Sequence, residues 1–164
     1  MFKQTYQKDE IILGLDPGTA TVGFAFSSGT RKNPIISEYG ILRTKALPPD
    51  MMPQRLLEIA QDLERLLDIH KPTKAIVEEL YFFKNHKTVI SVAQSRGILL
   101  YLLAKRGIEI ISATPLQIKQ TLCGYGRADK RQVQIMVQKV YGLNTLPVPD
   151  DAADSLAMAW WGLK

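Results

Sequence analysis

The run Glu10–Asp16 (EIILGLD) is apolar until its last residue, and Pro17-Gly18 stops it, which predicts a strand followed by a turn. In Val22–Ser28 (VGFAFSS) the residues Val22, Phe24 and Phe26 alternate with smaller ones, the period of a second strand. Pro34–Thr44 (PIISEYGILRT) reads as a third, and short connections favour an antiparallel meander of the three. The period then changes. Leu56, Ala60, Leu63 and Leu67 recur at helical spacing, with Leu57 and Leu66 widening the stripe, so a helix is predicted over Asp50–His70 with Asp50 as its N-cap and Pro53 in its first turn. Lys74–Glu79 is a short buried strand, Tyr81–Lys87 a loop, Thr88–Arg106 a long apolar helix and Glu109–Ser112 a fifth strand. Three helices complete the pattern: Pro115–Cys123, Asp129–Tyr141 and Asp150–Gly162, the last introduced by Pro147-Val148-Pro149. Three meander strands followed by strand–helix alternation predict a mixed α/β sheet with helices on its faces.

Composition narrows the class. Of 164 residues, 46% are hydrophobic and 23% charged, which excludes intrinsic disorder and suits one domain over 10–164 after a polar arm, 1–9, expected to fray. The longest apolar run, Ile98–Ala104, is far short of a membrane span, and MFKQTYQKDE lacks the apolar centre of a secretory signal. Cys123 is the only cysteine, so neither a disulfide framework nor a cysteine-based zinc site is expected. The expectation is a cytoplasmic protein that does not enter a membrane. A net charge of +5 leans only slightly towards a phosphate-rich partner.

The informative residues are acidic. Asp16 ends an apolar strand, where a lone carboxylate is costly unless it caps the turn, is paired or holds a metal. Glu78 ends the strand AIV, and strand alternation puts Glu78 and Glu79 on opposite faces, so at most one joins Asp16. Asp150, Asp151 and Asp154 open the final helix. Capping and the helix dipole account for Asp150 but poorly for Asp154, while Asp151 and Asp154 share a face. Small Ala152 and Ala153 between them would let this helix approach the sheet. Two strand-end acids and a helix pair, with no histidine or cysteine partner required, form an all-oxygen donor set that selects Mg2+ or Mn2+. Four carboxylates are excessive for one structural ion and suit two ions about 3.5–4 Å apart on a phosphate. Metal-dependent phosphodiester or phosphoryl chemistry is the reading.

The stretches ILGLDPGTATVGFAF, AIVEELYFFKNHKTVISVAQSRG, KQTLCGYGRADKRQVQ and DDAADSLAMA, in this order from about Ile11 to Trp161, closely resemble the RuvC family of Holliday-junction resolvases. The resemblance implies a ribonuclease H-like fold, a mixed five-stranded sheet with three antiparallel strands then two parallel, flanked by helices. It implies a homodimer that makes symmetric Mg2+-dependent nicks in two opposed strands of a four-way DNA junction in recombination and repair, leaving 5′-phosphate and 3′-hydroxyl ends. The catalytic, metal-binding acids of the family fall on Asp16, Glu78, Asp151 and Asp154; this selects Glu78 over Glu79 and Asp151 over Asp150. Some relatives carry His where this chain has Asp154.

A family aromatic, usually Phe, that contacts DNA near the branch point falls on Tyr81, and an aromatic in a polar loop can stack on a distorted base. Phe83 is expected to bury beneath the sheet edge. The family's functional lysines map to Lys119 and Lys130, with Arg127 and Arg131 beside them in a segment where Gly124 and Gly126 would let backbone approach phosphate. Lys84 and Lys87 flank the aromatic loop as electrostatic contacts. The surplus apolar surface of Thr88–Arg106 is expected either to bury in the core or to form a twofold interface, and the family's dimeric habit favours the latter. Docking on the RuvA–RuvB branch-migration complex is a further expectation of the resemblance. Three rivals remain: an actin-like phosphate-binding enzyme, for which the chain is too short to form two lobes, a junction-binding module without chemistry, and a nuclease of this fold with another nucleic-acid substrate.

Overall fold

A computed structural model describes residues 10–44, 51–80 and 86–164, with the backbone alone for 86–88. Chain order is β1 (Ile12–Asp16), β2 (Thr21–Gly29), β3 (Pro34–Arg43), α1 (Met52–His70), β4 (Lys74–Glu78), α2 (His86–Lys105), β5 (Glu109–Ala113), α3 (Pro115–Cys123), α4 (Lys130–Tyr141) and α5 (Asp150–Gly162). One sheet of order β3-β2-β1-β4-β5 contains all the strands. β1, β2 and β3 pair antiparallel, whereas β1–β4 and β4–β5 are parallel, as the mixed pattern predicts.

Strand alternation sorts the side chains into two cores. Leu13, Leu15, Val22, Phe24, Phe26, Ala75 and Val77 meet Ile59, Leu63 and Leu67 of α1 and Leu99 and Leu103 of α2. On the opposite face Ile12, Ala25 and Ile76 meet Ile118, Val133, Val137 and the apolar side of α5. Burying each of these large aliphatic side chains contributes about 1.5–3 kcal/mol. Both faces are therefore sealed by helices, and the open ground lies at the strand ends.

α5 is the central helix of its layer, with Ala152, Ala153, Leu156, Ala157 and Ala159 all buried. The sheet meets it with glycine. A Cβ on Gly14 would lie 2.1 Å from the Ser155 carbonyl oxygen, and one on Gly23 would lie 2.1 Å from that of Asp151. Helix backbone thus rests directly on β1 and β2, with alanines on one side and glycines on the other.

Two sequence expectations change. α1 begins at Met52 with Met51 in the N-cap position predicted for Asp50, and Asp50 itself lies outside the described residues. Leu57 is 56% exposed, because the buried stripe runs through Ile59, Leu63, Leu66 and Leu67 and Leu57 sits two residues, about 200°, from Ile59. The arm 1–9, Tyr81, Phe82, Phe83 and Lys84, and the side chain of Lys87, also lie outside the described residues.

Candidate active site

Asp16 is the last residue of β1 and Glu78 the last of β4, and the two strands are parallel neighbours. Their C-terminal ends therefore open at the same edge of the fold. Even-numbered residues of both strands face α5: Ile12 and Ile76 pack in its core, while odd-numbered Leu13, Leu15, Ala75 and Val77 face α1 and α2. Alternation hence brings Asp16 and Glu78 to the α5 side and turns Glu79 away.

The N-terminus of α5 arrives at this edge because Gly23 admits the Asp151 carbonyl. The carboxylate of Asp151 accepts a hydrogen bond of 2.5 Å from the Thr21 hydroxyl, at the start of β2. Asp154, one turn on, faces the same cleft as Glu78. Burial raises the Asp16 carboxyl well above the ordinary aspartate range, and the charges of Glu78, Asp154 and Asp151 push it further up. Asp16 and Glu78 are hydrogen-bonded to one another, and burial likewise raises Glu78 while Lys119 and Lys130 oppose the rise. For Asp154, burial first and Glu78 second raise the pKa from 3.8 to about 6, against the pull of Lys130 and Lys119. The four acids are thus one electrostatic cluster.

Such a cluster is unstable as four anions and calls for cations. Lys119 from α3 and Lys130 from α4 share with Glu78 and Asp154 a cleft of about 210 Å3, floored by Ile118, Val133 and Met158. The starts of α3, α4 and α5 lie around this edge and add partial positive charge. Lys130 forms an ion pair with Asp150, which follows the N-cap Pro149 in the first turn of α5; Lys130 and the backbone amides of Asp150 and Asp151 hold its carboxyl below the ordinary aspartate range. Arg127 and Arg131 are exposed on the segment entering α4. The glycines beside them have local structural roles. Gly124 is the left-handed C-cap of α3, and a Cβ on Gly126 would lie 2.3 Å from Leu116 Cδ1.

The donor set is hard oxygen throughout and its charge is under-compensated, so its chemistry fits a divalent cation such as Mg2+. Among the described residues, no three acidic, histidine or cysteine side chains close around a common point as ligands. The carboxylate oxygens instead engage each other, between Asp16 and Glu78, or Thr21, at Asp151.

A second set of contacts braces the strand ends from the far face. Buried Ser95 of α2 donates 2.7 Å to the Gly18 carbonyl in the turn after Asp16. Arg96 donates 2.9 Å from Nε to the Glu78 carbonyl and 2.8 Å from Nη2 to Ser112 Oγ, tying β4 to β5. Sequence reasoning missed Thr21, Ser95 and Arg96. Polar residues inside the otherwise apolar α2 were the available signal for the latter pair; nothing in the sequence singles out Thr21.

The Asp154 value carries a pH prediction. A carboxyl whose folded pKa lies above its unfolded one binds protons more tightly when folded, so its stability contribution is greatest below pH 3.8 and is lost as pH rises to about 6. In EDTA, Asp154→Asn should therefore gain stability relative to the parent chain between pH 4 and pH 6.5, by about 2–3 kcal/mol, and hold that gain above. Thermal melts of the two proteins across this range check it; a pH-independent difference would contradict the burial of Asp154.

The sheet order, the helices on both faces and the acids at the ends of its two central parallel strands define a ribonuclease H-like domain. A family model described as crossover junction endodeoxyribonuclease RuvC matches residues 12–161. The chain is 49% identical over 148 residues to the crossover junction endodeoxyribonuclease RuvC of Syntrophomonas wolfei, covering 90% of this chain and 85% of that one. It is 44% identical to the Fusobacterium nucleatum protein of the same name, covering 90% and 76%. The structure of Thermus thermophilus RuvC in complex with Holliday junction substrate superposes with a TM-score of 0.83 at 26% identity, covering 92% of this chain and 91% of that one. This chain belongs to the RuvC family of crossover junction endodeoxyribonucleases.

Proposed function

We propose that this chain resolves four-way (Holliday) DNA junctions in recombination and repair, nicking two opposed strands with Mg2+ and leaving 5′-phosphate and 3′-hydroxyl ends. The observation that carries the reading is the convergence of Asp16, Glu78, Asp151 and Asp154 beside a lysine-lined cleft at one edge of the sheet. Family membership and the likeness to a junction-bound relative support the substrate.

When bound between these carboxylates, Mg2+ would activate the attacking water and offset charge on the scissile phosphate and the departing 3′-oxygen, and Mn2+ would serve likewise. The residues have separate tasks. Asp16, whose carboxyl feels Glu78, Asp154 and Asp151 together, would be a shared ligand of the bound cations. Asp151 and Asp154 complete the ligand set from α5, whose first turn also presents backbone amides. Lys119 and Lys130 neutralise phosphate oxygens arriving in the cleft, and Lys130 must exchange Asp150 for phosphate to do so. Arg127 and Arg131 add contacts along the duplex arm. Tyr81, with Lys84 and Lys87, is proposed to meet the branch point. A synthetic four-way junction labelled on each strand tests this: paired nicks at symmetric positions are expected, while equal cutting of linear duplex or of an RNA–DNA hybrid would refute the substrate assignment.

Symmetric nicking calls for two sites, and α2 supplies a surface for pairing them. Along its outer face Ile90 is 71% exposed and Tyr101 59%, with the small residues Ala93, Gly97 and Ala104 also exposed. A Cβ on Gly97 would meet nothing, so the face is open to close approach by a second helix. Across a twofold axis these residues would cover one another, and Ser95 and Arg96 on the inner side would join that contact to the strand ends. Gly97→Arg is expected to convert a dimer to a monomer in light scattering, leave the fold intact by circular dichroism, and remove paired nicking. A dimer unaffected by Gly97→Arg would place the interface elsewhere. Action in the cytoplasm is part of the proposal through family membership; among the described residues no helix is long and apolar enough to cross a membrane. Docking on RuvA–RuvB completes the proposal through family membership, and co-sedimentation with those proteins on a junction is its test.

A further inference from the structure

Thr21 lies outside the four acids, yet its side chain contacts one of them directly. Its hydroxyl donates 2.5 Å to Oδ2 of Asp151, joining residues at opposite ends of the chain. The backbone around it is tightly determined. Thr21 is the first residue of β2 and pairs with Arg43 of β3. Its carbonyl oxygen would lie 2.1 Å from a Cβ on Gly18, so that turn is compact because position 18 carries no side chain. The β-branched side chain has few rotamers on a strand, so the hydroxyl is delivered from a stiff mount. Two residues on, Gly23 receives the Asp151 carbonyl. β2 therefore grips Asp151 twice, by the backbone at Gly23 and by the carboxylate at Thr21.

We propose that Thr21 is a positioning residue that sets the rotamer of the Asp151 carboxylate for divalent-cation binding. A hydroxyl has one proton to give, and giving it to Oδ2 fixes the plane of the carboxylate and leaves Oδ1 and the second lone pair of Oδ2 as donors. The contact does for a carboxylate what an outer hydrogen-bond partner does for metal-ligating side chains generally. The inference deepens the reading of Asp151 as a ligand and rests on it.

The test is Mn2+ binding to the DNA-free protein, followed by electron paramagnetic resonance of the free ion. Thr21→Val keeps the branched shape and removes the donor, Thr21→Ala removes the donor without adding a buried methyl, and Thr21→Ser keeps the donor. Asp151→Asn is the reference. Val and Ala are each expected to weaken Mn2+ binding by about 10-fold or more, the effect of losing an outer hydrogen-bond partner. Ser should stay within about 3-fold of the parent chain. In nicking assays the Val variant should recover much of its rate at saturating Mn2+, whereas Asp151→Asn should not. Junction affinity measured in Ca2+ should be unchanged in every Thr21 variant. If Asp151→Asn weakens Mn2+ binding but Val and Ala do not, or if Ser is as weak as Val, Thr21 has no positioning role. If Asp151→Asn itself binds Mn2+ like the parent, the reading of Asp151 as a ligand falls, and this inference with it.

Discussion

Asp16→Asn should abolish nicking of a four-way junction, by about 10^3-fold or more, while the protein still binds the junction. The size follows from what the substitution removes. Asp16 sits at the centre of the cluster, where burial and the charges of Glu78, Asp154 and Asp151 all bear on it. An amide of the same shape keeps the packing but withdraws a negative charge from any bound cation. Charge stabilisation of several kcal/mol on a transferring phosphate is the contribution at stake, and each 1.4 kcal/mol is a factor of about ten in rate. Binding moves the other way, since one carboxylate fewer faces the DNA backbone, so affinity in Ca2+ should be equal or tighter. Single-turnover nicking and fluorescence anisotropy on the same labelled junction separate the two effects. Wild-type nicking by Asp16→Asn would remove the acid cluster from the chemistry.

Gly23→Ala should also damage the protein, although it adds one methyl group and touches no charge. The new Cβ would lie 2.1 Å from the Asp151 carbonyl oxygen and 2.8 Å from its carbon, and both are backbone atoms. No rotamer change can relieve that overlap. Either β2 or the start of α5 must move, and β2 is held by ladders on both sides. Overpacking of this kind costs about 3 kcal/mol, which for a chain of this length is a drop of about 6–12 °C in Tm. The shift falls on Asp151 itself, so nicking should drop by about 10-fold or more even where the protein is fully folded, as expected for a misplacement of about 1 Å. Gly40→Ala is the comparison. Its Cβ would touch only the Phe24 ring, at 3.4 Å, and a Tm close to that of the parent chain is expected. Equal melting and nicking for Gly23→Ala and the parent would contradict the close seating of α5 on the sheet.

The elements themselves were legible because their periods are clean. VGFAFSS alternates as a strand does, and Leu63 and Leu67 recur as on a helix; both lie where those periods put them. Strand parity sufficed to keep Glu78 and Glu79 from serving one site, and the fold adds which of them faces α5. The paired alanines, Ala152 and Ala153, foretold close seating of the last helix; both are buried, and Asp151 and Ser155 on either side of them put their carbonyls against Gly23 and Gly14. What the pattern could not convey is where distant segments touch. Gly14 and Gly23 look like weak points of their strands until α5 is laid over them. Asp150 reads as a helix-start acid and keeps that place in the first turn of α5, but it also holds Lys130, because which side chain meets a helix start depends on how α4 and α5 pack. Leu57 belongs to an apolar run yet faces solvent, since a helical stripe is only as wide as the surface that covers it. The contacts of Thr21, Ser95 and Arg96 all span segments far apart in the chain, and local sequence carries no record of them.

One measurement bears most directly on the acid cluster as the seat of the chemistry. A crystal of the chain grown with Mn2+, recorded for anomalous scattering, locates the ions without reference to activity. Two peaks about 3.5–4 Å apart, the nearer one on Asp16 and the pair bounded by Glu78, Asp151 and Asp154, are the expected result. Anomalous density confined to other acids, or absent from this edge of the sheet at saturating Mn2+, would contradict it.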